Sequence, residues 1–247
     1  MSNLRHAQRA NADLRVSLRA HYDAITPPPA NLTAIRSLIE DSYNSLKAKI
    51  DSLEHCERLI GGIDWAKFWA LQNQVPPAGY SLTDIGNGLM SISLNAKDSE
   101  SFLFVIFEHL TSCAKNISDV FAVLLNEMWT LGLAGSQIGL SNIVRQARRN
   151  NASHPLIVLI DPIFGDQNSW LNVASNVRNK SQHRDPTSIL TIHLGRTSTD
   201  APSLDSSLFP GGDTLSRRLD HYCPRLKDRA FQFIEDMNSV LSAHPTL

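Results

Sequence analysis

The chain has 247 residues, 42% of them hydrophobic, and a formal net charge of −1, which is enough apolar material for one sizeable core and leaves no global positive field to gather nucleic acid from a distance. Its longest apolar runs, Phe102 to Phe107, Phe121 to Leu125 and Leu156 to Ile160, fall far short of the roughly 20 residues that span a bilayer, so no membrane contact is expected. Cys56, Cys113 and Cys223 lie far apart without metal-ligand spacing, which argues against a disulfide framework or a zinc knuckle and for a reducing cytoplasm.

Near the start, Arg5, Arg9, Arg15 and Arg19 alternate with Asp13 and Asp23, and no apolar stretch follows, so a targeting leader is not expected. Leu4, Ala7, Leu14 and Leu18 predict a helix over residues 3–25, ended by Pro27-Pro28-Pro29. A second helix is predicted from Asn31 to about Ile60, with Leu32, Ile35, Leu38, Ile39, Leu46, Ile50 and Leu53 as its stripe and Gly61-Gly62 as its stop. The two read as an outer hairpin. Residues 61–98 read as turns with one short helix around Trp65 to Leu71, because Pro76-Pro77, Gly79, Gly86 and Gly88 interrupt every apolar piece.

Ser99 to about Leu131 predicts a long helix, apolar on most sides, as in the central member of a bundle. Its polar residues Glu108, Ser112, Lys115, Asp119 and Asn126 fall in one narrow stripe, either a solvated face or a polar wall beside a cleft. Another helix is predicted from Leu140 to Arg149, closing on the basic cluster Arg145, Arg148 and Arg149. Leu156 to Ile160 reads equally as a short strand or a helical turn. Trp170, Val173, Ala174 and Val177 then mark a helix capped by Asp166 or Asn168 and ended by Pro186. Ile189 to Leu194 reads as a strand, Ser203 to Gly212 as a loop, and Arg225 to Ser242 as a last helix. The four tryptophans, Trp65, Trp69, Trp129 and Trp170, read as core anchors.

The segment Arg178-Asn179-Lys180-Ser181-Gln182-His183 carries the chemistry, since it sets a permanent cation five residues before a titratable imidazole. Metal-free RNA cleavage needs a base for the ribose 2′-hydroxyl, an acid for the leaving 5′-oxygen, and a cation for the charge gathering on phosphorus. Histidine can act as acid or base near neutrality, and arginine offers a planar fork matched to two phosphate oxygens. On a straight helix, five residues separate the two side chains by about 140°. Convergence therefore needs a loosened helix end, a swing of the long Arg178 side chain, or two copies of the chain sharing one groove.

Arg178-Asn179 followed by His183-Arg184 resembles the signature of the HEPN superfamily (higher eukaryotes and prokaryotes nucleotide-binding), in which Arg-x4-6-His lies near the end of a bundle helix, often with Asn after the Arg. The resemblance covers residues 99–245. It implies an all-α bundle that dimerises so that two motifs face each other, with many members acting as metal-independent ribonucleases in toxin–antitoxin or phage-defence systems. Members often add a polar residue from another core helix, and Asp119 is the choice here, to orient Arg178 or His183. Arg149-Asn150-Asn151-Ala152-Ser153-His154 repeats the spacing, but Pro155 and an apolar run follow it directly, so it reads as a helix exit.

Rival motifs are weaker. His183-Arg184-Asp185 spells the kinase catalytic tripeptide, yet Leu190 stands where a metal-binding Asn is required. His183, Asp185 and His193 lack the spacing of a metal set. The expectation is an all-α, HEPN-like bundle over residues 99–247, preceded by a helical extension over 1–98, with room for one short β element. Arg178, His183 and Asp119 are the catalytic candidates, and Asn179, Lys180, Arg184, Arg148 and Arg149 the RNA contacts. No cofactor is expected, and the partners expected are RNA, a second copy of the chain and an antitoxin or inhibitor protein. The alternative is a non-catalytic nucleotide-binding or dimerisation module.

Overall fold

The computed structural model describes residues 2–72, 81–86, 89–93, 96–183, 190–191, 200–210 and 214–247. In chain order these form α1 (Ser2–Ala24), α2 (Leu32–Gly61), α3 (Trp65–Gln72), β1 (Ser81–Gly86), β2 (Leu89–Ser93), α4 (Ala96–Met128), α5 (Leu140–Asn150), α6 (Pro155–Gly165), α7 (Trp170–His183), β3 (Leu190–Thr191), β4 (Ser203–Leu204), α8 (Thr214–Arg217) and α9 (Leu219–Ala243). The fold is all-α. Its β content exceeds the one short element expected: β1 and β2 pair antiparallel, with an irregularity between Asp84 and Gly86, and β3 pairs antiparallel with β4.

The long helices form where apolar residues recur every three or four positions. On α2 the buried set is Ile35, Ile39, Ser42, Leu46, Ile50, Leu53, Cys56 and Ile60, a stripe that lies along α4. On α4, Leu103, Phe107, Leu110, Ala114, Ile117, Phe121, Leu124 and Leu125 are almost fully buried. One face of α4 stays open, where Val105, His109 and Val123 are exposed and Ser112, Asn116 and Asp119 are partly so. The first two helices pair as expected, but the pair is not peripheral. α1 packs on α9 as well as on α2, and one core runs continuously from Ala7 to Leu241. Polar ties reinforce the arrangement: Asn11 donates to the Tyr43 carbonyl at 3.0 Å, and the Tyr22 hydroxyl donates to the Met128 carbonyl at 3.1 Å. Lys227 on α9 meets Glu54 at 3.1 Å and Glu57 at 2.8 Å on α2.

Helix boundaries depart from expectation for local reasons. Leu156 to Ile160 is helical, because His154 caps α6 and Pro155 occupies its first position, where a missing N–H costs nothing. α7 is capped by Ser169, whose hydroxyl accepts from the Asn172 N–H at 3.3 Å and whose carbonyl accepts from Val173 at 3.0 Å. Asp166 instead accepts from the Asn168 N–H at 2.9 Å, turning the chain just before the cap. α9 starts at Leu219, six residues before the expected Arg225, and carries Pro224 inside it. The predicted stop at Pro186 lies outside the described residues, as does the Trp69 side chain.

The turn after α4 is held by Asn126. Its side chain accepts from the Leu133 N–H at 3.0 Å and donates to the Leu133 carbonyl at 3.1 Å. Between them Gly132 has φ +68°, a left-handed conformation natural to glycine. Asn126 is 3% exposed and belongs to this clamp, not to an open polar stripe. The three cysteines are free and buried, one each on α2, α4 and α9. Burial pushes the Cys56 thiol up to about 11 and the Cys223 thiol well above its ordinary value. Among the described residues no helix is long and apolar enough to cross a membrane.

Candidate functional site

α7 crosses α4 and brings Arg178 to the open face of that helix. Val173, Ala174 and Val177 bury one side of α7, which leaves Arg178 on its flank with 32% of the side chain exposed. Arg178 Nη1 donates to Asn116 Oδ1 and Asp119 Oδ2, each at 3.4 Å. The other Asp119 oxygen takes the Lys115 ammonium, one helical turn back. Asp119 thus sits between two cations, and the Nη2 edge of Arg178 makes no hydrogen bond among the described residues.

Lys115, Asn116 and Asp119 occupy adjoining positions on α4, and the last two meet α2 across a shallow groove of about 390 Å³. Asp41, Ser45 and Lys49 on α2 line its far wall, with Val120 and Val123 between. The groove has apolar surface for a flat group and polar groups of both signs at its edges.

Asn179 is exposed beside Arg178. Lys180 turns toward the loop before α8, donating to Ser207 Oγ at 3.4 Å and lying 3.7 Å from Asp205 Oδ1. Ser207, and secondarily Lys180, hold the Asp205 carboxyl below the usual carboxylate range. His183 is the last residue of α7, and its side chain lies outside what is described, as does the whole of Arg184. The helix is regular throughout, so a loosened end before His183 is not available as a route to convergence.

Arg148 and Arg149 stand apart on α5. Arg148 is paired with Asp161 of α6, and Arg149 Nη1 donates to Gln146 at 3.3 Å. The second motif copy ends in a structural residue: His154 is 3% exposed, accepts the Leu156 N–H on Nδ1 at 3.2 Å and faces the Thr246 carbonyl with Nε2 at 3.2 Å. Burial holds its pKa below the ordinary histidine value, with His244 adding to the effect and Thr246 opposing it.

Comparison with protein-family models, curated proteins and solved structures found no match. Among the described residues no group of three or more His, Cys, Asp or Glu side chains is placed to hold a metal. The side chains of His183, Asp185 and His193 lie outside that description.

Of the residues singled out in sequence, the structure joins Arg178, Asp119 and Lys115. Asn116 is an addition to the sequence reading, although it lies three positions before Asp119 and so shares its face. Ser45 and Lys49 escape that reading because they sit on a helix expected to be peripheral. Their spacing of four is a legible sign.

Proposed function

We propose that this protein is a metal-independent endoribonuclease of the HEPN type that works as a homodimer and leaves 2′,3′-cyclic phosphate ends. The observation that carries this reading is the seating of Arg178: one nitrogen of its fork is fixed by Asn116 and Asp119, and the other makes no hydrogen bond among the described residues. A guanidinium so placed can donate to phosphate oxygens without reorganising as charge develops on them. His183, five residues on, would exchange the proton. As base it takes the 2′-hydroxyl proton while the 2′-oxygen bonds to phosphorus. As acid it supplies a proton to the 5′-oxygen as that P–O bond breaks.

Five residues on a regular helix turn through about 140°, a geometry that favours a groove shared by two copies. Asn179 and Arg184 would contact neighbouring phosphates. Lys180, Arg148 and Arg149 would do so only by giving up their present partners. A role as a growth-arresting or antiviral effector in the cytoplasm, restrained by an inhibitor protein, follows from superfamily analogy.

The test is incubation of the chain with total RNA in excess EDTA beside a folded His183→Ala variant, followed by identification of the new ends. We expect cyclic phosphates from the parent and a loss of about 10²- to 10⁴-fold in the variant. Equal cleavage by both would remove His183 from the chemistry, and cleavage by neither would leave a nucleotide-binding module as the better reading.

A further inference from the structure

A second cavity, of about 510 Å³, lies between α6, the start of α7 and α9, a volume typical of small-molecule sites. Its walls include Trp170, Phe209, Tyr222 and Phe233. Trp170 and Phe233 tilt together at 5.5 Å between ring centroids, and Phe209 meets Tyr222 edge-on at 6.0 Å. Such walls suit a flat apolar ring.

The polar lining is lopsided. Its two carboxylates are already engaged, Asp236 by Gln232 at 3.0 Å and Asp166 by the Asn168 N–H at 2.9 Å. Two of its donors are not. Tyr222 is 4% exposed, and its hydroxyl is buried without a hydrogen-bond partner among the described residues. Arg229 makes no hydrogen bond or ion pair among the described residues either. Arg225 is steadied by the carbonyls of Ser216 at 2.8 Å and His221 at 3.1 Å. Tyr222, Arg225 and Arg229 fall at i, i+3 and i+7, along one face of α9. Burial raises the Tyr222 pKa, so the hydroxyl keeps its proton and remains a donor. Buried polar groups in folded proteins are nearly always satisfied, so the orphaned Tyr222 hydroxyl sets this wall apart, and Arg229 is the unpaired cation at the cavity.

We infer that this cavity binds a small aromatic carboxylate, with its ring among Trp170, Phe209 and Phe233 and its carboxylate received by the Arg229 guanidinium. The two oxygens of a carboxylate match one guanidinium edge, and the volume accommodates a bicyclic ring with a short acid chain. The site shares no residue with the Arg178 groove and does not depend on the ribonuclease reading.

Calorimetric titration of the full chain with phenylpropionate, 2-naphthoate and indole-3-propionate tests this, with the matching amides as neutral controls. Saturable one-to-one binding by at least one acid is expected, with its amide about tenfold weaker. Arg229→Gln should weaken the acid about tenfold and leave the amide unchanged. Tyr222→Phe should raise the urea midpoint of the unliganded protein because the hydroxyl removed had no partner. Arg229 is exposed, so its variant decides the question even if Tyr222→Phe folds poorly. No saturable binding by any acid at millimolar concentration, or binding that Arg229→Gln leaves unchanged, overturns the inference.

Discussion

Asp119 shares one carboxylate between Lys115 and Arg178, and the three side chains are 23% to 37% exposed. Ion pairs this open to solvent contribute under about 1 kcal/mol to stability. Their effect is to hold the Arg178 fork in place. Asp119→Asn should therefore leave the urea midpoint nearly unchanged while slowing single-turnover cleavage about tenfold, the scale of one misplaced catalytic contact. A large stability loss with unaltered cleavage would make the pair merely structural. His154 supplies a second residue-scale prediction. Its Nδ1 accepts an N–H, so a proton there would set two donors against each other. Because its folded pKa is lowered, the neutral form is favoured on folding, and this contribution is fully present above about pH 6.5. It is lost as pH falls through the lowered value, at up to about 1.4 kcal/mol per pH unit. His154→Asn retains a capping side chain without titrating in this range. Urea unfolding at pH 7 and pH 5 should show a smaller drop for the variant than for the parent.

Among the elements, the long helices are legible in sequence because a stripe sustained over many turns outweighs local ambiguity. The expected bounds of α2 and α4 lie within a few residues of those observed. Short elements are harder. Gly86 reads as a breaker, yet it ends β1 and pairs with Leu89 of β2. Period alone does not settle Leu156 to Ile160, and what decides it is a cap at His154 that only the tertiary setting reveals. Pro224 masks the start of α9, where the Arg218 carbonyl already accepts from His221 and Tyr222. The site is half legible for the same reason. Arg178 and Asp119 follow from motif and stripe, whereas their contact depends on how α7 crosses α4, which neither segment encodes alone. The regularity of α7 through His183 also narrows the ways in which the motif could converge.

For the whole molecule, the proposed ribonuclease reading makes oligomeric state part of the chemistry. If one groove takes Arg178 from one copy and His183 from the other, Arg178→Ala and His183→Ala chains are each inactive alone. Mixed after co-refolding, random pairing gives half heterodimers with one intact groove each, so about a quarter of parental activity should return. No recovery, with dimers present by light scattering, would place both residues in one copy's site. Lys227 between Glu54 and Glu57 ties α9 to α2, so mixing exchanges whole chains and not a loose arm.

The three sealed thiols turn the core into a set of clocks. Cys56, Cys113 and Cys223 ride on α2, α4 and α9, and burial keeps them protonated as well as shielded, so a maleimide can reach each one only while its own helix is open. Pulse alkylation read by mass spectrometry should label all three at one common rate if the bundle opens as a unit. A faster rate at Cys223 alone would instead mean that α9, which also walls the aromatic cavity, breathes ahead of the rest. An aromatic acid bound there would then slow that one clock and leave the other two running.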